Sequence, residues 1–147
     1  MTIRKCREED IAQLAVLFDQ YRVFYKMGSD LEGVKAFLYA LLIKNASTIF
    51  ISVNRSDIIT GFVQLYPLYS STRMKPLLLL NDLFVSPDYR GKGISKLLIE
   101  AVKQYCVEVS SCALILETAK NNIAANRLYK STSFMLDEEH NYYEWVP

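Results

Sequence analysis

The fold is decided by residues 81–95, which read NDLFVSPDYRGKGIS. Immediately before them, Leu77 to Leu80 form an apolar run without polar alternation, as expected for a strand buried on both faces. After them, apolar residues recur at helical spacing, at Ile94, Leu97, Leu98, Ala101, Val102 and Tyr105. The sequence therefore predicts a buried strand, a glycine-rich turn and an amphipathic helix in direct succession.

The glycines of this turn predict an anion-binding site. Because Gly91 and Gly93 lack side chains, the backbone N–H groups of the first helical turn, including those of Ile94 and Ser95, can close around an anion. The positive end of the helix dipole would strengthen the attraction, and so would two neighbouring cations. These cations are Arg90 and Lys92.

Two common phosphate motifs do not match this turn. A P-loop requires Ser or Thr after its lysine, and Lys92 is followed by Gly93. A dinucleotide fingerprint requires a glycine at position 96, which is Lys96. The remaining pattern, RGKGIS at 90–95, resembles the acetyl-CoA pyrophosphate loop of the GNAT N-acetyltransferase superfamily, with Ser95 where that family prefers Gly or Ala.

A second segment resembles the same family. It places Asn122, Ala125 and Tyr129 on one helical face and ends in Ser133-Phe134, where the family signature has Gly-Phe. An asparagine at the start of this segment can cap the helix. The resemblance implies that this face runs along the pantetheine arm of CoA and that Tyr129 donates a proton to the CoA thiolate.

Composition restricts the class of protein. The chain has 147 residues, 51% hydrophobic and 22% charged, which fits one globular domain spanning 1–147. A net charge of +1 argues against a nucleic-acid partner, which normally meets a strongly basic surface. No apolar run approaches the roughly 20 residues that span a bilayer, and the first residues lack the apolar core of a secretory signal. We therefore expect a cytoplasmic protein without a membrane partner.

The sequence does not predict a metal site. Cys6, Cys106 and Cys112 are odd in number and lack C-x-x-C spacing, so neither a disulfide framework nor a zinc site is indicated. His140 is the only histidine, and we expect it at the surface or on a strand.

The predicted order of elements is β-αα-βββ-α-β-α-ββ, an α/β (α+β) fold with helices on both faces of a mixed central sheet. Ser29 to Glu32 are expected to form a capping box before the second helix, and residues 54–57 a hairpin turn. Residues 67–76 are expected to form a polar loop. The last two strands are expected from Phe134 onward, with Tyr142 to Val146 in the second. This order is similar to that of a GNAT domain.

The resemblance implies transfer of an acetyl group from acetyl-CoA to an amine within a ternary complex. Because an alkylammonium has a pKa of about 10.4, a base must remove its proton. Asp82, beside apolar neighbours, is the expected base, with a water relay or Glu117 on the next strand as alternatives. The oxyanion donor is expected from the motif strand near Val85, at a bulge. The residues expected to bind CoA are Leu83, Phe84, Val85, Arg90, Gly91, Lys92, Gly93, Ile94, Ser95, Asn122, Ala125 and Tyr129.

The acceptor is expected to be a small cationic amine. Asn81-Asp82 before Leu-Phe-Val resembles the Glu-Asp pair before Phe-Phe-Val of diamine acetyltransferases. Aromatic rings suit a cation, although rings at helical spacing commonly belong to the core. The expected substrate-binding residues are Tyr21, Tyr25, Tyr66, Asn81, Asp82 and Glu117.

Three further expectations concern alternatives and assembly. A protein lysine or N-terminal acetyltransferase is one alternative function. A non-catalytic sensor that binds acyl-CoA is another, motivated by Asn81 and Ser95. The tyrosine-rich residues 142–145 are expected to form an edge strand between the subunits of a homodimer.

Overall fold

The computed structural model describes all residues from Met1 to Pro147. Its strands are β1 (Thr2–Lys5), β2 (Thr48–Val53), β3 (Ile59–Ser70), β4 (Lys75–Val85) and β5 (Leu114–Ile115). Its α-helices are α1 (Ile11–Phe24), α2 (Leu31–Ile43), α3 (Ile94–Glu108) and α4 (Ile123–Ser131). Two short 3₁₀ turns, Glu8–Asp10 and Pro87–Tyr89, precede α1 and α3.

The strands form one mixed sheet in the order β1-β2-β3-β4-β5. Neighbours are antiparallel from β1 to β4, whereas β4 and β5 are parallel and connected through α3. The parallel pairing is short, because only Leu78 and Leu79 of β4 have partners in β5. Residues 80–85 of β4 therefore lack a strand neighbour on the β5 side.

Helices cover both faces of the sheet, as predicted. On one face, α1 and α2 pack through Leu14, Phe18 and Leu38 against Phe62 of β3 and other strand residues. On the other face, the apolar side of α3 packs against a second cluster of strand residues. That cluster contains Phe50, Val63, Leu65, Leu78 and Leu80. The predicted α/β class is confirmed.

A β-bulge in β4 changes the faces toward which its side chains point. Leu80 pairs with Leu65 and Asp82 with Gln64, so Asn81 has no partner across the β3–β4 ladder. Side chains alternate along a regular strand, so residues four apart would share a face. Because of the extra residue, Leu80 packs in the α3 cluster and Phe84 in the α1–α2 cluster.

Two local predictions need correction. The N-cap of α2 is Asp30, whose Oδ1 accepts the Gly33 N–H at 2.9 Å, whereas the Ser29 hydroxyl donates to Asp19. The predicted loop 67–76 is mostly strand, since β3 and β4 remain paired as far as Ser70 and Lys75. Continued backbone pairing outweighs the polar composition of this hairpin.

The two closing strands are also a wrong prediction. Residues 132–147 contain no strand, although Tyr142 to Val146 have high β-propensity. A strand needs a neighbour for its backbone hydrogen bonds and its apolar side chains, and here Tyr143 and Trp145 are 86% and 84% exposed. Propensity alone does not form the strand.

The chain divides into two compact units, Met1–Glu117 and Thr118–Pro147. The first contains the whole sheet with α1, α2 and α3, and the second contains α4. None of the helices combines the length and the apolar character needed to cross a membrane.

Candidate active site

The connection between β4 and α3 offers a row of backbone donors. The N–H groups of residues 91–96 donate to no acceptor within the protein, and Gly93 is the N-cap of α3 without a side-chain cap. Gly91 and Gly93 have φ values of 72° and 77°, a backbone region that glycine enters without steric cost. Such a helix start attracts an anion through its N–H groups and its dipole. The backbone of this turn thus has the arrangement that the predicted anion site requires, and anion binding itself stays a prediction.

The basic side chains beside this turn contact the protein itself. Arg90 Nε donates to the Val85 carbonyl at 3.1 Å, and its guanidinium lies 5.3 Å from the centre of the Phe84 ring. Lys92 Nζ donates to the Asp88 carbonyl at 3.0 Å. Arg90 also lines a cavity of about 410 Å³ between α1 and residues 84–90. Both cations thus lie close to the row of N–H groups and are held by backbone carbonyls.

Asp82 is the centre of a buried polar network on β4. Its side chain accepts three hydrogen bonds, from Tyr21 Oη at 2.7 Å, Gln64 Nε2 at 2.9 Å and Asn81 Nδ2 at 3.0 Å. The residue is only 6% exposed, and no lysine or arginine forms an ion pair with it. A buried carboxylate is normally compensated by a cation or by strong hydrogen bonds. Here hydrogen bonds alone compensate it.

Gln64 extends this network across β3. Its side chain is fully buried, and Nε2 donates to Tyr66 Oη at 2.8 Å as well as to Asp82. Its Oε1 accepts from Ser47 Oγ at 3.3 Å. Burial and the nearby Asp82 charge raise the pKa of Tyr66, so its hydroxyl keeps its proton. The sequence analysis did not predict a role for Gln64. A single amide within the otherwise apolar run of β3 could have indicated a buried polar contact.

Aromatic rings surround Tyr21 near this network. Tyr21 makes edge-to-face contacts with Phe62 and Phe84 at 5.7 Å between ring centres, and with Tyr25 at 5.0 Å. Tyr25 and Phe24 lie at the end of α1, each more than half exposed. Tyr21 therefore combines packing with a hydrogen bond to Asp82, and its neighbours Phe24 and Tyr25 remain accessible to a ligand.

Three further predictions for this unit concern the position of the bulge, residues 83–85 and Glu117, and the structure corrects the first and the last. The bulge lies at Asn81, earlier in β4 than the expected position near Val85. Leu83, Phe84 and Val85 lie in the part of β4 without a partner in β5, so their backbone can still meet a ligand. Glu117 is exposed and follows the end of β5 at Ile115, so it is not on the strand as predicted. No group of acidic residues, cysteines and histidine is arranged to hold a metal ion.

In the second unit, α4 carries the remaining predicted residues. The Asn122 side chain accepts the Ala125 N–H at 3.1 Å and caps the helix. Tyr129 is half-buried, and its ring lies edge-to-face against Phe134 at 5.6 Å. Ser133 has a φ of 65°, which explains why the family signature prefers glycine there.

The family comparison agrees with these motifs. The model of the acetyltransferase (GNAT) family matches residues 12–134, which include the β4–α3 turn and α4. The chain belongs to this family. The resemblance stated from the two motifs is thereby confirmed.

Relatives of this GNAT chain are acetyltransferases. It is 42% identical to the uncharacterized N-acetyltransferase YhfO of Bacillus subtilis, over 93% of the chain and 91% of the relative. The crystal structure of a probable acetyltransferase, 32% identical, superposes with a TM-score of 0.96 over 100% of this chain and 98% of the other. The spermine/spermidine N(1)-acetyltransferase of Bacillus subtilis is 32% identical over 55% of each protein. The protein is accordingly an N-acetyltransferase, which sets aside the reading as a non-catalytic sensor.

Proposed function

We propose that this GNAT enzyme takes its acetyl group from acetyl-CoA and transfers it to the primary amine of a small cationic molecule. Acetyl-CoA supplies the acetyl group as a reactive thioester. The N–H groups of residues 91–96 suit the CoA pyrophosphate, because they face no protein acceptor and stand at the positive end of α3. Arg90 and Lys92 add positive charge nearby.

The observation that supports a cationic acceptor most directly is the charge of Asp82. This carboxylate is buried with three hydrogen bonds and without a cation, so a bound ammonium would supply the missing positive charge. The accessible rings of Phe24 and Tyr25 can add cation–π attraction. The partial match to the spermine/spermidine acetyltransferase supports the same class of amine.

Asp82 is also the proposed base. A carboxylate has about four lone-pair sites, and hydrogen bonds from Tyr21, Gln64 and Asn81 occupy three of them. The remaining site can accept the proton of the ammonium. Because Asp82 is so little exposed, we propose that the proton arrives through a water molecule or the Tyr21 hydroxyl. Tyr129 is proposed as the acid that protonates the CoA thiolate, as the family resemblance implies.

The test is release of free CoA thiol on mixing the enzyme with acetyl-CoA and a panel of acceptors. The panel contains spermidine, a simple diamine, a neutral amino acid amide and a lysine peptide. We expect the polyamine and the diamine to be the best acceptors, and Asp82→Asn to lower kcat/KM by about 10²- to 10⁴-fold. Asp57→Asn removes the same charge on the exposed β2–β3 turn and serves as the control.

Three outcomes would contradict the proposal. Preference for the lysine peptide over every free amine would identify a protein acetyltransferase. Full turnover by Asp82→Asn would remove the proposed base. Full turnover by Tyr129→Phe, with Tyr39→Phe as a control on the exposed side of α2, would likewise remove the proposed acid.

We further propose that the enzyme is a cytoplasmic homodimer. Its three cysteines are free thiols, which is typical of a reducing compartment. The exposed aromatic residues Tyr142, Tyr143 and Trp145 form an apolar segment that a second copy could cover. Sedimentation of the purified chain tests the assembly, and a monomeric mass at high concentration would contradict it.

A further inference from the structure

One edge of β3 is unpaired beyond the start of β2, and we call this gap in the sheet the notch. Thr48, the first residue of β2, pairs with Leu65 of β3, yet β3 continues to Ser70. Residues 66–70 pair only with β4, so no strand lies on their other side. A cavity of about 370 Å³ lies at this notch, and none of residues 80–96 lines it. Neither Asp82 nor the proposed anion site at α3 therefore lines this cavity, and Ser47, which does, connects to Asp82 only through Gln64.

The interior of this cavity is apolar. Leu14, Leu38 and Leu65 line it, each at most 1% exposed, together with Leu42 and Leu78. The notch lies between the helices that cover the two faces of the sheet. The cavity wall therefore includes side chains from both apolar clusters. Apolar walls of this kind favour a hydrocarbon group over water.

The thiol of Cys6 adds to the apolar wall. Burial, together with the charge of Asp10, raises the pKa of this thiol to about 12. The thiol therefore stays neutral at physiological pH and behaves as a small apolar group. It supplies neither a nucleophile nor an anion to the cavity.

Polar groups with unused capacity line the same cavity. Lys5 Nζ forms no hydrogen bond or ion pair and lies 4.0 Å from the centre of the Tyr105 ring. Asn45 is exposed at the rim of the cavity, and its side chain makes no hydrogen bond within the protein. Thr48 Oγ1 and Tyr105 Oη are 3.4 Å apart, a long and weak hydrogen bond. One cation and several polar donors thus converge beside an apolar interior.

We propose that this cavity binds a small amphipathic monocarboxylate. The carboxylate meets the Lys5 ammonium, with the Asn45 amide and the Tyr105 hydroxyl as further donors. The hydrocarbon chain lies against the partly exposed apolar side chains of the wall, Leu42 and Ile49. An amine is disfavoured because Lys5 would repel it. The volume lies at the small end of ligand sites, roughly 300 to 1,000 Å³, which suits a short chain rather than a long lipid.

The test is calorimetric titration of the full chain with sodium octanoate, in the absence and in the presence of CoA. We expect one saturable site under both conditions and no binding of octylamine. Lys5→Met should weaken octanoate binding about tenfold, and Lys5→Arg should retain most of it. Lys35→Met, which removes a partly exposed lysine paired with Glu32 on α2, should bind like the unmodified chain.

Three results would overturn the proposal. The first is absence of octanoate binding by the folded protein. The second is equal affinity in the unmodified chain and in Lys5→Met, which would separate binding from the charge of Lys5. The third is displacement of octanoate by CoA, which would place the octanoate in the acyl-CoA site instead of at the notch.

Discussion

The surroundings of Asp82 depend on one extra residue in β4. Because Asn81 is the bulge residue, Asp82 lies opposite Gln64 and belongs to the same face as Phe84. Without the bulge, the carboxylate would point to the opposite face of the sheet, away from Tyr21. A bulge that aims a functional side chain in this way is common beside active sites. The side-chain amide of Asn81 also donates a hydrogen bond to the Asp82 carboxylate.

Gln64 is predicted to be a positioning residue for this carboxylate. Gln64→Leu keeps the side-chain size but removes the hydrogen bonds to Asp82 and Tyr66. Since a hydrogen bond to a charged group contributes about 1.5 to 3 kcal/mol, we expect kcat/KM for the amine to fall about 10- to 100-fold. Steady-state kinetics should show an unchanged KM for acetyl-CoA.

The matched control for Gln64→Leu is Ser52→Ala. This substitution also removes a buried hydrogen bond in the same sheet, the 2.7 Å contact of Ser52 Oγ with Thr60 Oγ1. It lies apart from Asp82 and should leave kcat/KM nearly unchanged. Equal losses in the two variants would show that Gln64 acts only on stability.

Asp10 makes a pH-dependent contribution to stability. Two hydrogen bonds from the Arg4 guanidinium, at 2.6 and 2.8 Å, hold the pKa of Asp10 below its usual value of 3.8. A carboxyl with a lowered pKa stabilises the folded chain above its unfolded pKa, and this contribution is lost as the pH falls through the folded pKa. We expect Asp10→Asn to lower the free energy of unfolding by about 1 to 3 kcal/mol at pH 7.

Denaturant unfolding at several pH values measures this difference. The gap between the two proteins should close as the pH falls below about 4, where the carboxyl becomes protonated in the unfolded chain. A gap that stays constant down to pH 2 would show that the charge of Asp10 is not the cause.

At the scale of elements, the β4–α3 connection depends on two glycines. Gly93 has a φ of 77°, and a Cβ there would meet no atom within 4 Å, so only the backbone conformation opposes a side chain. A non-glycine residue in this region costs about 1 to 2 kcal/mol or shifts the backbone. We expect Gly93→Ala to weaken CoA binding about tenfold by displacing the N–H groups at the start of α3.

Calorimetric titration with CoA measures the effect of Gly93→Ala, and Gly28→Ala is its control. A Cβ at Gly28 also has open space, and this glycine lacks a positive φ. The control should bind CoA like the unmodified chain. Unaltered binding by Gly93→Ala would mean that the turn does not shape the site.

The sequence predicts some features of the two units better than others. The β4–α3 turn and the cap of α4 are local, so glycines and an asparagine at fixed spacing suffice to indicate them. The contact between Gln64 and Asp82 joins two strands, and the bulge at Asn81 alters its register, so residue spacing could not reveal it. The closing strands failed because β-propensity says nothing about whether a partner strand is available.

For the whole molecule, a single domain spanning residues 1–147 stays a prediction. The fold contains two compact units, with the sheet in residues 1–117 and α4 in residues 118–147. We expect one cooperative unfolding transition, because a unit of about 30 residues rarely has enough core to fold alone. Circular dichroism and tyrosine fluorescence should report the same midpoint. Two separated transitions would contradict one domain.

For the whole enzyme, we predict that the N–H groups of residues 91–96 bind the pyrophosphate of CoA. The most direct measurement is calorimetric titration of the unmodified chain with CoA. We expect one CoA to bind per chain, saturably and with a Kd of micromolar order. Absence of any heat of binding, while circular dichroism shows the protein folded, would contradict it.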